Sequence, residues 1–354
     1  MKSCSTFILA AGFLASVSAA NPSGCLDAVV EGTDYFEYKV EPVESVQWSI
    51  EYSNTYKVVT NIAADETYLL YNCGTEPPTD QLDGRHAAVV PIPFTGAAII
   101  STTTVPFFEL LGLRTKISTY LGTAQYVASP CLRELVDEGK ITEVLDTSNI
   151  TNYEGVPEEL PAFIGNAGDV LLNNSIRISA SKETTNLAVF EWIKYYAVFF
   201  NLEEKANEIF EEAQSRYECV ESNAAILETD MQEEPVVLWA SYSDFCDGGW
   251  DVARCPNYYC EFAAACSARI LNSEEGSLQS KKCFRNYMTT EEFVAFGKDA
   301  DVWIYPGTDA NFALDKFKEE LKDFVSVKKE AVYDTQASGI SGWFEYRLAE
   351  PGKL

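Results

Sequence analysis

The stretch VFEWIKYYAVFFNLEEKANEIFEEAQSRY, running from Val189 to Tyr217, constrains the fold more than any other part of the chain. Trp192, Tyr196, Phe199 and Phe200 fall at helical spacing, a second amphipathic set starts at Leu202, and no Gly or Pro interrupts either. The spacing predicts a long helical segment over 183–219, its aromatic stripe turned to packing. Strand-like and helix-like segments alternate on both sides of it. Before it, Ala97–Ile100 reads as a short apolar strand, and Thr102–Thr104 supply N-cap chemistry for a helical turn-set, Val105–Leu111, closed by Gly112. TKISTYL returns to a strand, PCLRELVDEGKITEVL reads as helix, Gly stop and strand, and GDVLL and IRISA as two more strands. After it come EPVVLWASY as strand, NYYCEFAAACSARIL as amphipathic helix, and TTEEFVAFGKDADVWIYPG as capped helix then strand. ALDKFKEELKDF and KEAVYDT close the series as helix and strand. Such alternation argues for parallel α/β sheets. Residues 21–84, rich in alternating Tyr, Val and Thr, read instead as a β layer. The expected architecture is therefore α/β: two Rossmann-like lobes, 85–182 and 220–354, joined by a rigid helix, with an N-terminal β layer. A stiff helix fixes the separation of the lobes, and a cleft between them lies where such sheets bind ligands.

The first twenty residues, MKSCSTFILAAGFLASVSAA, have a Lys, an apolar run and small residues at Ser18 and Ala20. They read as a signal peptide cut after Ala20, with no later run long enough to span a membrane. A secreted or surface protein is expected, and no Cys follows the cut as a bacterial lipid anchor requires. Nine of the ten cysteines remain after cleavage. In an oxidising compartment they read as disulfide partners with one left over, the five between Cys246 and Cys283 forming a stapled region. Zinc is the competing reading of that cluster, but the spacing lacks paired CxxC and the single His, His86, is distant in sequence. Asn149 and Asn173 sit in glycosylation sequons.

Acidic residues outnumber basic ones 54 to 26, giving a net charge of −28. That surface repels nucleic acid, so no nucleic-acid partner is expected. One histidine leaves little for a catalytic triad, and no phosphate loop or nucleophile elbow occurs in a strand–turn–helix setting. The chain does not read as an enzyme. The same lone histidine argues against direct capture of Zn or Mn, which recruits several imidazoles, and for a ligand that arrives already chelated or organic.

The segments AAIISTTTVPFFELLGLRTKISTYLG, FEWIKYYAVFFNLEEKANEIFEEAQSRY, WASYSDFCDGGWDVARCPNYY and DADVWIYPG resemble, in order and spacing, the helical-backbone (class III) periplasmic solute-binding proteins. Those proteins capture ferric siderophores, haem and cobalamin. VYDTQASGISGWFEYRLAEP also resembles the C-terminal part of eukaryotic, algal-type siderophore-binding relatives. Together the likeness covers most of 85–350. It implies a capture protein with no intrinsic cofactor, whose ligand is a metal chelate, a ferric siderophore above all. A membrane transporter or a reductase is the implied partner. The chain departs from the family in stopping shortly after AEPGKL, where a further helix is normal, and in its cysteine content.

A bulky chelate calls for aromatics and a few fixed donors. In the STTT loop, Thr103 and Thr104 can aim hydroxyls and backbone N–H groups into the cleft, with ordinary capping as the competing role. Tyr126 follows the second strand on the same rim. Matched to the family's aromatic loop, Trp250 and Tyr258 are the second-lobe ligand candidates, Trp250 following two glycines in a loop. Tyr305 and Trp343 end strands near glycines, and Arg347 supplies a cation for an anionic or hydroxamate oxygen. Two readings compete with siderophore capture: cobalamin or haem as the ligand, and an interaction module that keeps the fold without binding small molecules.

Overall fold

A computed structural model describes residues 20–81, 86–145, 160–164, 175–228, 233–283, 285–306, 310–335 and 342–351. The β layer is a four-stranded sheet of β1 (Trp48–Tyr52), β2 (Tyr56–Asn61), β3 (Glu66–Asn72) and β4 (Ala88–Ile92). β1 to β3 form an antiparallel meander and β4 runs parallel to β3, so the layer extends past residue 84. One face alternates into the core through Trp48, Val59, Tyr68, Leu70, Val90 and Ile92.

The first lobe is an all-parallel sheet of β5 (Ala97–Ile99), β6 (Ile117–Leu121), β7 (Thr142–Val144), β8 (Ala162–Ile164) and β9 (Ser175–Arg177), in the order β7-β6-β5-β8-β9. Helices α1 (Val105–Leu110) and α2 (Pro130–Asp137) supply its crossovers. The chain order reverses between β5 and β8, the kind of switch point where doubly wound sheets bind ligands. GDVLL, expected as a strand, lies outside the described residues, as do Asn149 and Asn173.

The helical segment expected over 183–219 is present in three pieces: α3 (Asn186–Phe190), α4 (Trp192–Ala197) and α5 (Glu203–Glu228). Asn201 adopts a left-handed conformation (φ 56°) and Leu202 N donates to Ala197 O, a reverse turn that ends the first helical run. Only α5, about 39 Å long at 1.5 Å per residue, carries the chain from one lobe to the other. The aromatic stripe is core, as its spacing predicts. Trp192, Tyr195, Tyr196, Phe199 and Phe200 are buried between the β layer and the first lobe, against Trp48, Phe94, Phe107, Phe108 and Phe163. At ~2 kcal/mol per buried ring, this cluster is the main apolar anchor of the first half.

Three buried carboxylates in and beside the helical pieces hold the N-terminal segment. Glu191 accepts the backbone N–H groups of Val43, Glu44 and Ser45. Glu183 accepts from the Ser45 hydroxyl, Gln47 N and Trp192 Nε1. Glu203 pairs with Lys57, fully buried in β2, and accepts from Asn21 Nδ2 at 2.8 Å. Otherwise orphaned backbone donors of an irregular segment are thereby satisfied.

The second lobe is built on β10 (Val236–Ser243). One edge of β10 pairs with antiparallel β11 (Gly249–Val252) and, further along, with parallel β12 (Arg269–Leu271). The other edge pairs with β15 (Val302–Tyr305), which pairs with β16 (Val332–Asp334). A hairpin of β13 (Leu278–Ser280) and β14 (Arg285–Tyr287) lies beside β11. The helices are α6 (Tyr258–Ala265), α7 (Thr290–Gly297), α8 (Ala310–Lys316), α9 (Lys318–Leu321), α10 (Val325–Lys328) and α11 (Gly342–Tyr346). A Thr289–Glu292 capping box starts α7, as its sequence predicts. The expected helix NYYCEFAAACSARIL ends at Ala265, and its ARIL portion is β12.

Disulfides join Cys25 to Cys73, Cys246 to Cys283 and Cys255 to Cys260. Cys219 is also disulfide-bonded. Among the described residues Cys131 and Cys266 are free thiols. Four of the five clustered cysteines are thus oxidised pairs and not thiolate ligands.

Candidate ligand-binding site

Beyond the carboxyl end of β5 lies a cavity of about 430 Å³. Its polar wall is the STTT loop and Ser181; its apolar wall is Ile100, Phe107, Ile178, Tyr196 and Leu348. Ser101, not a threonine, caps the 3-10 turn Thr102–Thr104, its hydroxyl accepting from Thr103 N and lying 2.7 Å from the Thr103 hydroxyl. Thr104 makes no side-chain cap for α1; its hydroxyl lies 3.2 Å from that of Tyr196. Burial in this apolar floor pushes the Tyr196 phenol well above its ordinary range, so it stays a neutral hydroxyl.

The second lobe has its own cavity of about 310 Å³ at the carboxyl ends of β10 and β15. Its character is different: Arg254 and Arg285 face it with Asp251, Asn257 and the rings of Trp239 and Tyr259. Arg285 donates to Asp251 at 2.5 Å, and Arg254 lies 3.4 Å from the other carboxylate oxygen. Burial pushes the Asp251 carboxyl up, against the pull of the two guanidiniums. Arg254 is held by Asn286 O at 2.5 Å, and Asn257 donates to Arg254 O at 2.6 Å. The Cys255–Cys260 disulfide closes the turn that carries Asn257 and directly follows Arg254. Trp239 stacks on Tyr259 (4.7 Å, 20°), which stacks on Trp343 (5.9 Å, 21°). Trp239 Nε1 and Arg254 Nε are buried donors with no hydrogen-bond partner among the described residues. Such donors are costly to leave unmade.

Helix α11 stands between the two cavities and touches both lobes. Leu348, just after it, lines the first cavity, while Trp343 packs on Trp239 and Tyr259 of the second. Glu345 is buried and accepts from Ala128 N (2.5 Å) and Ser129 N (3.1 Å) at the start of α2. Arg347 Nε donates to the Tyr258 hydroxyl oxygen at 3.2 Å, and its guanidinium sits 5.3 Å from the Trp343 ring centroid.

The residues expected at the site divide sharply. Thr103 and Thr104 line the first cavity. Trp343 on α11 and Arg347 just after it sit between the cavities, both engaged with second-lobe aromatics. Tyr258 is buried against the first-half core and joins Tyr259 and Arg347 through its hydroxyl, a bracket for the site. Trp250 is a correction: it lies on strand β11, not in a loop, and is 0% exposed. Its ring stacks on Phe293 at 3.9 Å and Nε1 donates to Thr290, leaving no face for a ligand. Tyr305 is likewise core, beside Trp303, its hydroxyl against the Tyr242 backbone. Tyr126 is 67% exposed and lines neither cavity. Sequence reasoning missed Trp239, Asp251, Arg254 and Arg285. The WDVAR run carried the signal: in a strand, alternation that turns Trp250 inward turns Asp251 to the other face.

In sequence, an uncharacterized lipoprotein of Methanocaldococcus jannaschii is 25% identical over 316 residues, covering 83% of this chain and 71% of that protein. No protein-family model matches the chain. In structure, a periplasmic heme binding protein from Pseudomonas aeruginosa superposes with TM-score 0.53 at 15% identity, over 73% of this chain and 92% of that one. A periplasmic binding protein from Veillonella parvula gives 0.51 at 12% identity, over 73% and 80%. The fold is that of the periplasmic binding proteins. The likeness is one of architecture, two α/β lobes, and function rests on the site itself. Among the described residues, no helix is long and apolar enough to cross a membrane.

Proposed function

We propose that this protein is a secreted or surface-held solute-binding protein that captures a metal chelate, a ferric siderophore, between its lobes. The observation that carries the reading is the second-lobe cavity. A chain of net charge −28 places two arginines there against one aspartate, beside a stack of three aromatic rings and two unpartnered buried donors. Guanidiniums bind carboxylate, hydroxamate or catecholate oxygens through paired N–H groups, and flat rings cover the ligand's apolar faces. The hydroxyl-lined first cavity offers neutral donors to the far side of the same guest. The resemblance to siderophore-binding families, algal-type relatives included, supports the ligand class. The signal peptide expected over residues 1–20 and the lipoprotein relative support the location. Delivery to a membrane transporter or reductase completes the proposal.

Tryptophan fluorescence tests it, because Trp239 lines the second cavity and Trp343 packs on Trp239. Titration with ferrioxamine or ferrichrome at micromolar concentration is expected to quench emission. Arg285→Ala is expected to weaken that binding roughly ten- to hundredfold, the worth of a charge-assisted hydrogen bond of about 1.5–3 kcal/mol. Quenching by haem or cobalamin alone redirects the ligand class; no response to any of the four refutes capture of a chelate.

A further inference from the structure

The two arginines of the second-lobe cavity are both carried by chain that a disulfide closes. Arg254 directly precedes Cys255, which bonds to Cys260, and Arg285 lies just beyond Cys283, which bonds to Cys246. Within the smaller ring Asn257 holds the backbone. Its Nδ2 donates to Arg254 O, and its Oδ1 accepts from Tyr259 N at 2.8 Å and Cys260 N at 3.2 Å. The Arg254 guanidinium donates in turn to Asn286 O of the β13–β14 hairpin. That hairpin is what the larger bridge staples. It presents Arg285, which donates to Asp251 and, through Nε, to the Tyr287 hydroxyl at 2.8 Å; that hydroxyl lies 3.1 Å from Cys246 Sγ. Asp247, next to Cys246, accepts from the Ser280 hydroxyl at 2.9 Å and from Lys281 N at 3.1 Å.

Both segments are slight. β13 and β14 have three residues each, and a two-stranded hairpin by itself is marginal in water. The Cys255–Cys260 ring is a turn running into the start of α6, exposed at Pro256. A cross-link restricts the open alternatives of the segment it closes, and a binding loop already held in place has less ordering left to do when its ligand arrives. The lobe itself rests on other contacts. Its core of Leu238, Trp250, Phe293, Trp303 and Phe324 comes from β10, β11, α7, β15 and the residue before α10, and among the described residues that cluster includes no cysteine. Opening the bridges therefore frees the segments that carry the arginines and leaves the sheet. Cys255, Cys260 and Cys283 are half-buried and Cys246 is buried, so each bridge keeps a sulfur with some surface for an attacking thiolate.

We propose that the second-lobe site is assembled by oxidation: with both disulfides formed it holds its guest, and a dithiol reductant that opens them releases it. A thiolate of the reductant attacks one cystine sulfur and the S–S bond breaks. The reductant's second thiol then displaces the first bond, closing its own disulfide. Two electrons and two protons pass to each cysteine pair, which ends as two thiols. Arg254 and Arg285 then lose their fixed positions, and their paired N–H groups no longer meet one set of ligand oxygens together. Capture in an oxidising exterior is thereby coupled to release wherever a reducing dithiol is met. The guest's part in this rests on the solute-binding reading, whereas the loosening of the two segments does not.

The test uses the mature chain in two arms. In the first, calorimetry measures binding of the gallium(III) forms of ferrioxamine and ferrichrome, whose metal a dithiol does not reduce, to the oxidised protein and to the protein in excess dithiothreitol. Affinity is expected to fall about tenfold or more on reduction. Cys255→Ser/Cys260→Ser and Cys246→Ser/Cys283→Ser are each expected to bind more weakly with no reductant present. Cys25→Ser/Cys73→Ser, which opens the bridge to the β layer, is expected to bind as the unaltered protein does. In the second arm, hydrogen–deuterium exchange follows the ligand-free protein. Protection at Tyr259 N and Cys260 N and along the β13–β14 ladder is expected to drop severalfold on reduction, while the β10–β15 ladder keeps its own. Equal affinity in the oxidised and reduced protein overturns the proposal. So does a loss of binding in Cys25→Ser/Cys73→Ser as large as in the other two pairs, which would be general loosening. If neither chelate binds the oxidised protein, the capture reading falls and exchange alone decides: protection unchanged by reduction at those amides overturns assembly by oxidation.

Discussion

Lys57→Met is the sharpest test of how the first half is held together. Lys57 has no solvent exposure, and its ammonium donates to Val198 O at 2.8 Å, Asn201 Oδ1 at 2.7 Å and Glu203. It also lies 4.6 Å from the Phe36 ring centroid. Methionine keeps the stem and its packing but removes the charge. Glu203, equally buried, would be left with Asn21 Nδ2 at 2.8 Å and Tyr52 O–H at 3.4 Å. Breaking a buried pair from one side costs about 3–5 kcal/mol, because the remaining charge has neither water nor a counter-ion. The reverse change, Glu203→Gln, should cost less, about 1–3 kcal/mol. Burial already depresses the Lys57 ammonium, and without Glu203 the lysine can shed its proton and keep its carbonyl partners. Lys57→Met/Glu203→Gln should then lose far less than the two singles together, since no charge is left uncompensated. Urea unfolding followed by far-UV circular dichroism and tryptophan emission measures all three, coincident transitions licensing a single free energy. A Lys57→Met loss under about 1 kcal/mol, or a double variant that loses the full sum, refutes the reasoning.

Two contrasts complete the predictions. Trp250→Ala should destabilise the protein by about 3–5 kcal/mol through the cavity left against Phe293, Phe317 and Trp303, whereas Tyr126→Ala should stay within ~0.5 kcal/mol; equal losses in urea would return Trp250 to the surface. Removing the Cys25–Cys73 disulfide opens a loop of separation 48 and should cost about 4 kcal/mol by loop entropy, against about 2 kcal/mol for Cys255–Cys260, of separation 5. The reverse order in thermal unfolding would place the stabilisation in local geometry instead.

The alternation of strand and helix segments is written along the chain and folds accordingly, because a three-residue apolar strand and a capped amphipathic turn are local patterns. Gly112, at φ 74°, ends its turn-set where the sequence predicts, and the Thr289–Glu292 capping box is visible to the eye. The β layer was equally legible, apart from β4, whose parallel pairing with β3 is a non-local event. The site was harder to read. Thr103 and Thr104 follow from the strand–loop–helix order, since the carboxyl end of a parallel strand opens on the cleft. Trp250 did not follow. Gly248 and Gly249 before it look like a loop. In fact Gly248 makes a turn at φ 80°, and Gly249 lets β11 press on the hairpin, where a Cβ would stand 2.4 Å from Tyr287 Cβ. Glycine marks close approach as readily as exposure.

What the sequence determined alone is everything set within a turn or a strand's length: the element types, their order, the oxidised cysteine setting and the acidic surface. Tertiary structure decided which aromatics are walls and which are core, because burial of a ring depends on the partner that reaches it, not on its own neighbours. It also broke the central helical run at Asn201, where a side chain shared with Lys57 and Pro22 holds a backbone turn that helical periodicity cannot register. And it brought Arg254, Arg285 and Asp251 to one cavity with Trp239 and Tyr259, with Trp343 of a distant segment packed on both rings, an encounter that only the folded sheet creates.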